Sequence, residues 1–122
     1  MTEVIIAIGS NTNQKNNIEL ADVYIKELFN KEQIEISRSV WTKPIGIKSD
    51  LFLNQIIIFY TLCNYETVCN RLDIIEKRMH SSSELKRSGI VYIDLDILKF
   101  GNKIFHENDW QRDYIKTLLS EF

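Results

Sequence analysis

Asp94 and Asp96 lie two residues apart in the run Tyr92-Ile93-Asp94-Leu95-Asp96-Ile97-Leu98-Lys99-Phe100-Gly101. Ile, Leu, Tyr and Phe dominate the run and a glycine ends it, as in a β-strand. Side chains of a strand alternate faces. Ile93, Leu95 and Ile97 therefore form a core stripe, and Tyr92, Asp94 and Asp96 share the other face. The two aspartate Cα atoms are then roughly 6–7 Å apart. Ionised carboxylates at that distance repel by about 3 kcal/mol at an effective dielectric near 20. A divalent cation with oxygen ligands would relieve the repulsion, most economically magnesium together with a phosphate-bearing substrate. Lysine or arginine partners would relieve it too, as would a wet strand end, and the strand alone leaves these readings even.

The rest of the chain reads as the scaffold for that strand. It has 122 residues, 44% apolar and 26% charged, with a net charge of −2. Those values suit a single globular domain over 1–122 and give no electrostatic footprint for nucleic acid. No segment is long enough to span a membrane, and no signal-peptide layout precedes the first strand, so the expected compartment is the cytoplasm. Cys63 and Cys69 form no CxxC and have no histidine at ligand spacing. They read as reduced thiols, a disulfide being the lesser alternative.

Taken in order, Glu3–Ile8 is an apolar run suited to a strand covered on both faces, stopping at Gly9-Ser10-Asn11. Ser10 and Asn11 have side chains able to cap or bind. A polar loop over 12–17 leads into a helix with Ile18, Ala21, Ile25, Leu28 and Phe29 on one side. Gln33–Trp41 is expected as a second strand, bent or at an edge, with Ile34, Ile36, Arg38 and Val40 on one face. Thr42-Lys43-Pro44-Ile45-Gly46, with the only proline, opens a loop reaching about Asp50. Leu51–Leu62 reads as a central strand whose Asn54 needs hydrogen-bond partners, from the protein or from a flat polar ligand. Asn64 caps a helix with Val68, Leu72, Ile75 and Met79 inward. Residues 84–89 and 102–109 are expected as loops. Asp109 is expected to cap a last helix with Tyr114, Ile115, Leu118 and Leu119 on its apolar side. Trp41 and Trp110 read as packing residues, His80 and His106 as surface residues, and Glu76 as an exposed helical glutamate. The order βαββαβ plus a helix predicts an α+β, ferredoxin-like sandwich. It has a four-stranded antiparallel sheet, two helices on one face and a C-terminal helix.

Six short motifs, in collinear order, resemble the 6-hydroxymethyl-7,8-dihydropterin pyrophosphokinase family. They are Ala7-Ile8-Gly9-Ser10-Asn11, Thr42-Lys43-Pro44-Ile45-Gly46, Phe52-Leu53-Asn54, Ile75-Glu76, Ile93–Leu98 with Phe100-Gly101, and Arg112-Asp113-Tyr114. The resemblance implies a transferase of the folate pathway, a kinase that moves pyrophosphate from ATP, its co-substrate, to the pterin hydroxymethyl group. It implies two Mg2+ ions held by Asp94 and Asp96, which with Arg87 would be the catalytic residues. The pterin would meet Thr42, Ile45, Phe52, Asn54 and Tyr114, with Tyr114 and Phe52 stacking on the ring. The nucleotide would meet Lys86, Arg87, Arg112 and Ile97. The implied partners are these small molecules, with no nucleic acid and no membrane.

The chain departs from the family on the nucleotide side. Where the family carries an arginine–tryptophan–glycine–proline–arginine run, this chain has Arg87-Ser88-Gly89-Ile90-Val91, and Val91 replaces a phosphate-contacting arginine. Ser81 and Ser83 stand where basic residues are common. The family's proline–histidine loop is missing between Lys103 and Trp110, where His106 lacks that context. These changes make a non-catalytic or weakly active pterin-binding relative the alternative reading. A third, an interaction module with solvated aspartates, is disfavoured by the collinear motifs.

Overall fold

Strand β1 (Thr2–Ser10) lies in the middle of the sheet. Val4, Ile5, Ile6 and Ile8 are all buried, which requires apolar side chains on both faces of the strand. β1 pairs antiparallel with β4 (Phe52–Thr61) on one side and β5 (Asp94–Phe100) on the other. The short strands β2 (Glu35–Ile36) and β3 (Val40–Thr42) both pair with β4, and β6 (Lys103–Ile104) folds back on β5. The computed structural model describes every residue from Met1 to Phe122. The α+β class and the antiparallel sheet are as expected, but the sheet has six strands rather than four.

Helices α1 (Gln14–Leu28) and α2 (Tyr65–Arg78) cover one face. Ile18, Ala21 and Ile25 of α1 and Val68, Leu72 and Ile75 of α2 join the even-numbered residues of β1 in the main core, as their spacing predicts. Asn64 caps α2 by accepting from the Thr67 amide. The other face carries a smaller core. There α4 (Asp113–Ser120) sets Ile115 and Leu118 against Ile5, Ile56 and Leu98. Both cysteines are free, and no helix is long and apolar enough to cross a membrane.

Several local expectations are corrected. The Gln33–Trp41 run is two strands, because Ile36 pairs with Ile57 whereas Val40 pairs with Asn54. Four steps on one side match three on the other, so one residue is extra and the side-chain phase flips. Ser37 accommodates the irregularity: its amide donates to the Ile56 carbonyl and its Oγ accepts from the Ile56 amide. Ile34 and Ile36 consequently face the main core and Val40 the smaller one. A second irregularity, where Ile6 pairs with Ile97 but Ile5 with Lys99, leaves Leu98 as the extra residue of β5 and brings Phe100 to the same face as Ile97. β5 starts at Asp94, so Tyr92 lies outside it. Residues expected as loop over 84–89 include α3 (Ser83–Arg87), whose cap is Ser82 accepting from the Leu85 amide. The connector over 102–109 contains β6. Asp109 does not cap α4; it opens a single 3-10 turn (Asp109–Gln111) and pairs with Arg112. Trp110 packs against the smaller core, but Trp41 is 49% exposed.

One carboxylate under α1 is poorly compensated. With its amide nitrogen turned to the helix, Gln55 donates to Asp22 at 2.9 and 3.2 Å. Burial nevertheless outweighs this bond and the charge of Lys26, and pushes the Asp22 carboxyl up to about 6. A group that holds its proton more tightly folded than unfolded stabilises the fold least when ionised. Its penalty appears as pH rises from about 4 through about 6. Asp22→Asn should therefore be more stable than the parent by about 1–3 kcal/mol at pH 8, with the difference vanishing near pH 4. Urea unfolding of both proteins across that range checks this.

Candidate active site

The site is laid out by strand register. Asp94 pairs with Gly9, Gly9 with Asn54, and Asn54 with Val40, making one row across four strands. In the next row Asp96 lies beside Ala7. The central strand thus offers its two smallest side chains where its neighbours offer polar ones, which leaves a hollow in the sheet face that α4 covers further along. A Cβ on Gly9 would come 3.2 Å from Asn54 Oδ1 and 3.6 Å from the Phe52 ring, so the absence of a side chain there sets how close these groups lie.

The hollow is a cleft lined by Thr42, Ile45, Phe52, Asn54, Asp94, Asp96, Arg112 and Tyr114. All five residues expected at the pterin, both aspartates and Arg112 therefore meet in one place, though they come from four separated segments. Asn54 donates to Thr42 Oγ1 at 2.8 Å and to the Val40 carbonyl at 3.3 Å, while Oδ1 makes no hydrogen bond within the chain. Burial pushes the Tyr114 phenol up, and Arg112 opposes that shift. Arg112 is itself paired with Asp109 at 3.1 Å.

Asp94 and Asp96 do share a face. Lys86 Nζ lies 2.7 Å from Asp94 Oδ1 and 2.9 Å from Glu76 Oε1. Glu76 is not the exposed glutamate expected of a helix surface: Oε2 also accepts from the Leu95 amide, and burial pushes its carboxyl up. Asp96 is pushed up to about 8, chiefly by burial and next by the neighbouring charge of Asp94. His106 Nε2 is 3.8 Å from Asp96, so this histidine has a partner that the sequence does not reveal. Two carboxylates, Asp94 and Glu76, thus share one lysine, and Asp96 lies beside Asp94. Asp94 and Asp96 are the pair that faces the cleft, and their oxygens are donors of the kind a hard divalent cation takes, although no third His, Cys, Asp or Glu joins them as a ligand.

The other residues expected at the nucleotide separate. Ile97 is 6% exposed in the main core and borders a separate cleft with Tyr65, Phe105 and Asp96. Arg87 is exposed on α3, does not line the main cleft and has no ion pair there. Val91 is buried. Ser81 donates to the Ile93 carbonyl at 2.7 Å. Ser10 and Asn11 turn out to hold the chain rather than face a ligand. The Asn11 side chain accepts from the Val91 amide at 2.8 Å and donates to the Gly89 carbonyl at 2.9 Å. Ser10 Oγ donates to the Val91 carbonyl at 3.3 Å. Lys43, Ile47 and Asp109 also line the cleft but were not expected there. Lys43 had a signal, since it stands between Thr42 and Pro44 in the loop motif.

Fold and cleft together describe an α+β protein whose sheet face offers a cleft lined by Phe52 and Tyr114 beside a carboxylate pair. The chain matches the model of the 7,8-dihydro-6-hydroxymethylpterin-pyrophosphokinase (HPPK) family over residues 5–122, and it belongs to that family. It is 32% identical over 127 residues to the folate synthesis bifunctional protein of Arabidopsis thaliana, covering 96% of this chain. The chain spans about a quarter (26%) of the length of that curated relative. Among solved structures, the de novo designed protein Foldit4 overlaps 84% of this chain and 97% of its own, at 12% identity and a TM-score of 0.44. That likeness is too loose to bear on the site.

Gly9→Ala tests the close approach of β1 to Asn54. The variant should fold, with a circular dichroism spectrum like the parent's, because Asn54 is a side chain able to shift. On the reading that the cleft takes a pterin, proposed below, calorimetry with 6-hydroxymethylpterin should give an affinity about tenfold lower than the parent's, equivalent to ~1.4 kcal/mol.

Proposed function

We propose that this chain transfers pyrophosphate from ATP to 6-hydroxymethyl-7,8-dihydropterin in folate biosynthesis, in a magnesium-dependent reaction. The hydroxymethyl oxygen bonds to the β-phosphorus of ATP and loses its proton. The bridging oxygen between the α- and β-phosphorus leaves with AMP. The observation that supports this most is the cleft itself, which joins the aromatic residues, Asn54 and the carboxylate pair of a family member. Phe52 and Tyr114 offer ring faces to the pterin. Thr42 and Asn54 meet its polar rim, with Asn54 Oδ1 free to accept from a ring amine. Ile45, exposed at the mouth, covers the slot. Asp94 and Asp96 would hold the magnesium, two ions by resemblance to the family. When bound, the metal neutralises phosphate charge and helps hold donor and acceptor in line. Lys86, bonded to Asp94, and Lys43 and Arg112, which line the cleft, supply the positive charge.

One observation favours a second reading, a pterin-binding relative with little transfer activity. Val91 is buried and Arg87 faces solvent, so two cations of the family's phosphate side are missing from the cleft. Each lost charged contact costs roughly 2–4 kcal/mol in the transition state, or ~30- to 1000-fold in rate.

Purified protein with ATP, Mg2+ and the hydroxymethyl dihydropterin should release AMP, and Asp96→Asn should lower the rate at least ~100-fold. Pterin binding without AMP would instead select the second reading. Failure to bind either substrate would refute both.

A further inference from the structure

Lys86 is bonded at once to Asp94 and Glu76, at 2.7 and 2.9 Å, and its side chain is 28% exposed. It is the only lysine or arginine paired with either member of the carboxylate pair; the imidazole of His106 lies 3.8 Å from Asp96. The backbone that carries it is held at both ends. Ser82 caps α3 at its start, and beyond its end Gly89 and Val91 are bonded to Asn11. The movable part is the four-carbon stem, which places a strongly hydrated point charge with three rotatable donors. Magnesium binds carboxylate oxygen at about 2.0–2.1 Å. A metal ion on Asp94 and an ammonium on the same carboxylate would be like charges a few ångströms apart, each weakening the hold of the other.

We propose that Lys86 is a built-in competitor of the divalent ion at Asp94. Its ammonium compensates the carboxylates until phosphate oxygens offer it another anion, so that metal and nucleotide load together. This inference rests on Asp94 and Asp96 being the metal ligands, as in the function proposed above. It adds a direction. Metal alone must displace Lys86, whereas metal arriving with a nucleotide gives Lys86 a new partner, and the two ligands therefore raise each other's affinity by the same factor. Ser81, Ser83 and Val91 add no cation that would share this role.

The test measures Mn2+ binding to the full chain by electron paramagnetic resonance, with and without α,β-methylene ATP. Lys86→Met should bind Mn2+ alone about tenfold tighter than the parent, and the gain from adding the nucleotide should shrink by a similar factor. Lys86→Arg keeps the cation and should bind Mn2+ alone as weakly as the parent. Should Lys86→Met not fold, Lys86→Gln, which retains a donor for Glu76, must show the same tightening. Unchanged or weaker Mn2+ binding in the uncharged variant, or tightening in Lys86→Arg, overturns the competition. If no protein binds Mn2+ even with nucleotide, the assignment of Asp94 and Asp96 as metal ligands fails and takes this inference with it. Mn2+ binding that tightens as expected in a protein forming no AMP leaves the competition standing and removes only the transfer activity.

Discussion

The structure depends on two carboxylates held on one face of one strand, next to the smallest side chains of its neighbour. Asp94 and Asp96 cannot separate, because β5 is pinned to β1 by register and its opposite face is buried under α2. Their mutual repulsion is offset in part by Lys86, and burial beside Asp94 strengthens the hold of Asp96 on its proton. The charge left over is what would make the site receptive to a cation. Gly9 matters as well, since a side chain there would press on Asn54 and the Phe52 ring, and Ala7 lies beside Asp96 in the cleft.

Around that pair, each element has a positioning task. The main core fixes β1, β4 and β5 against α1 and α2. The smaller core does the same for α4, and so brings Tyr114 and Arg112 to the open end of the sheet. The irregular step at Ser37 allows β3 to continue alongside β4 with Thr42 and Val40 facing Asn54. Without that extra residue the phase of the strand would place Thr42 on the helix side, and the cleft would lose one wall.

The segment from Ser81 to Val91 holds the chain together where the family resemblance implies basic residues. Positions where arginines are expected have taken on structural work. Ser81 bonds the Ile93 carbonyl, and Val91 is buried while its backbone is clamped by Asn11. The segment is consequently well anchored but carries little charge toward the cleft. Lys86 alone reaches the carboxylates, and it reaches Glu76 as well. The charge balance of the site therefore rests on one flexible side chain.

The sequence by itself determined the apolar stripes of both long helices, the Asn64 cap, the antiparallel α+β class and the single face shared by Asp94 and Asp96. These follow from periodicity and local capping, which are properties of neighbouring residues. The resemblance to the family pointed to most residues of the cleft, and the fold brought them together from four separated segments. Only the tertiary structure decided the six-stranded sheet, the phase flips at Ser37 and Leu98, the clamp of Asn11 on Val91, and the partners of Lys86, Glu76 and His106. Each of these joins segments far apart in the chain. Hydrogen bonds and ion pairs across such distances depend on strand register and packing, and a pattern of residue types does not encode register until both strands are in place.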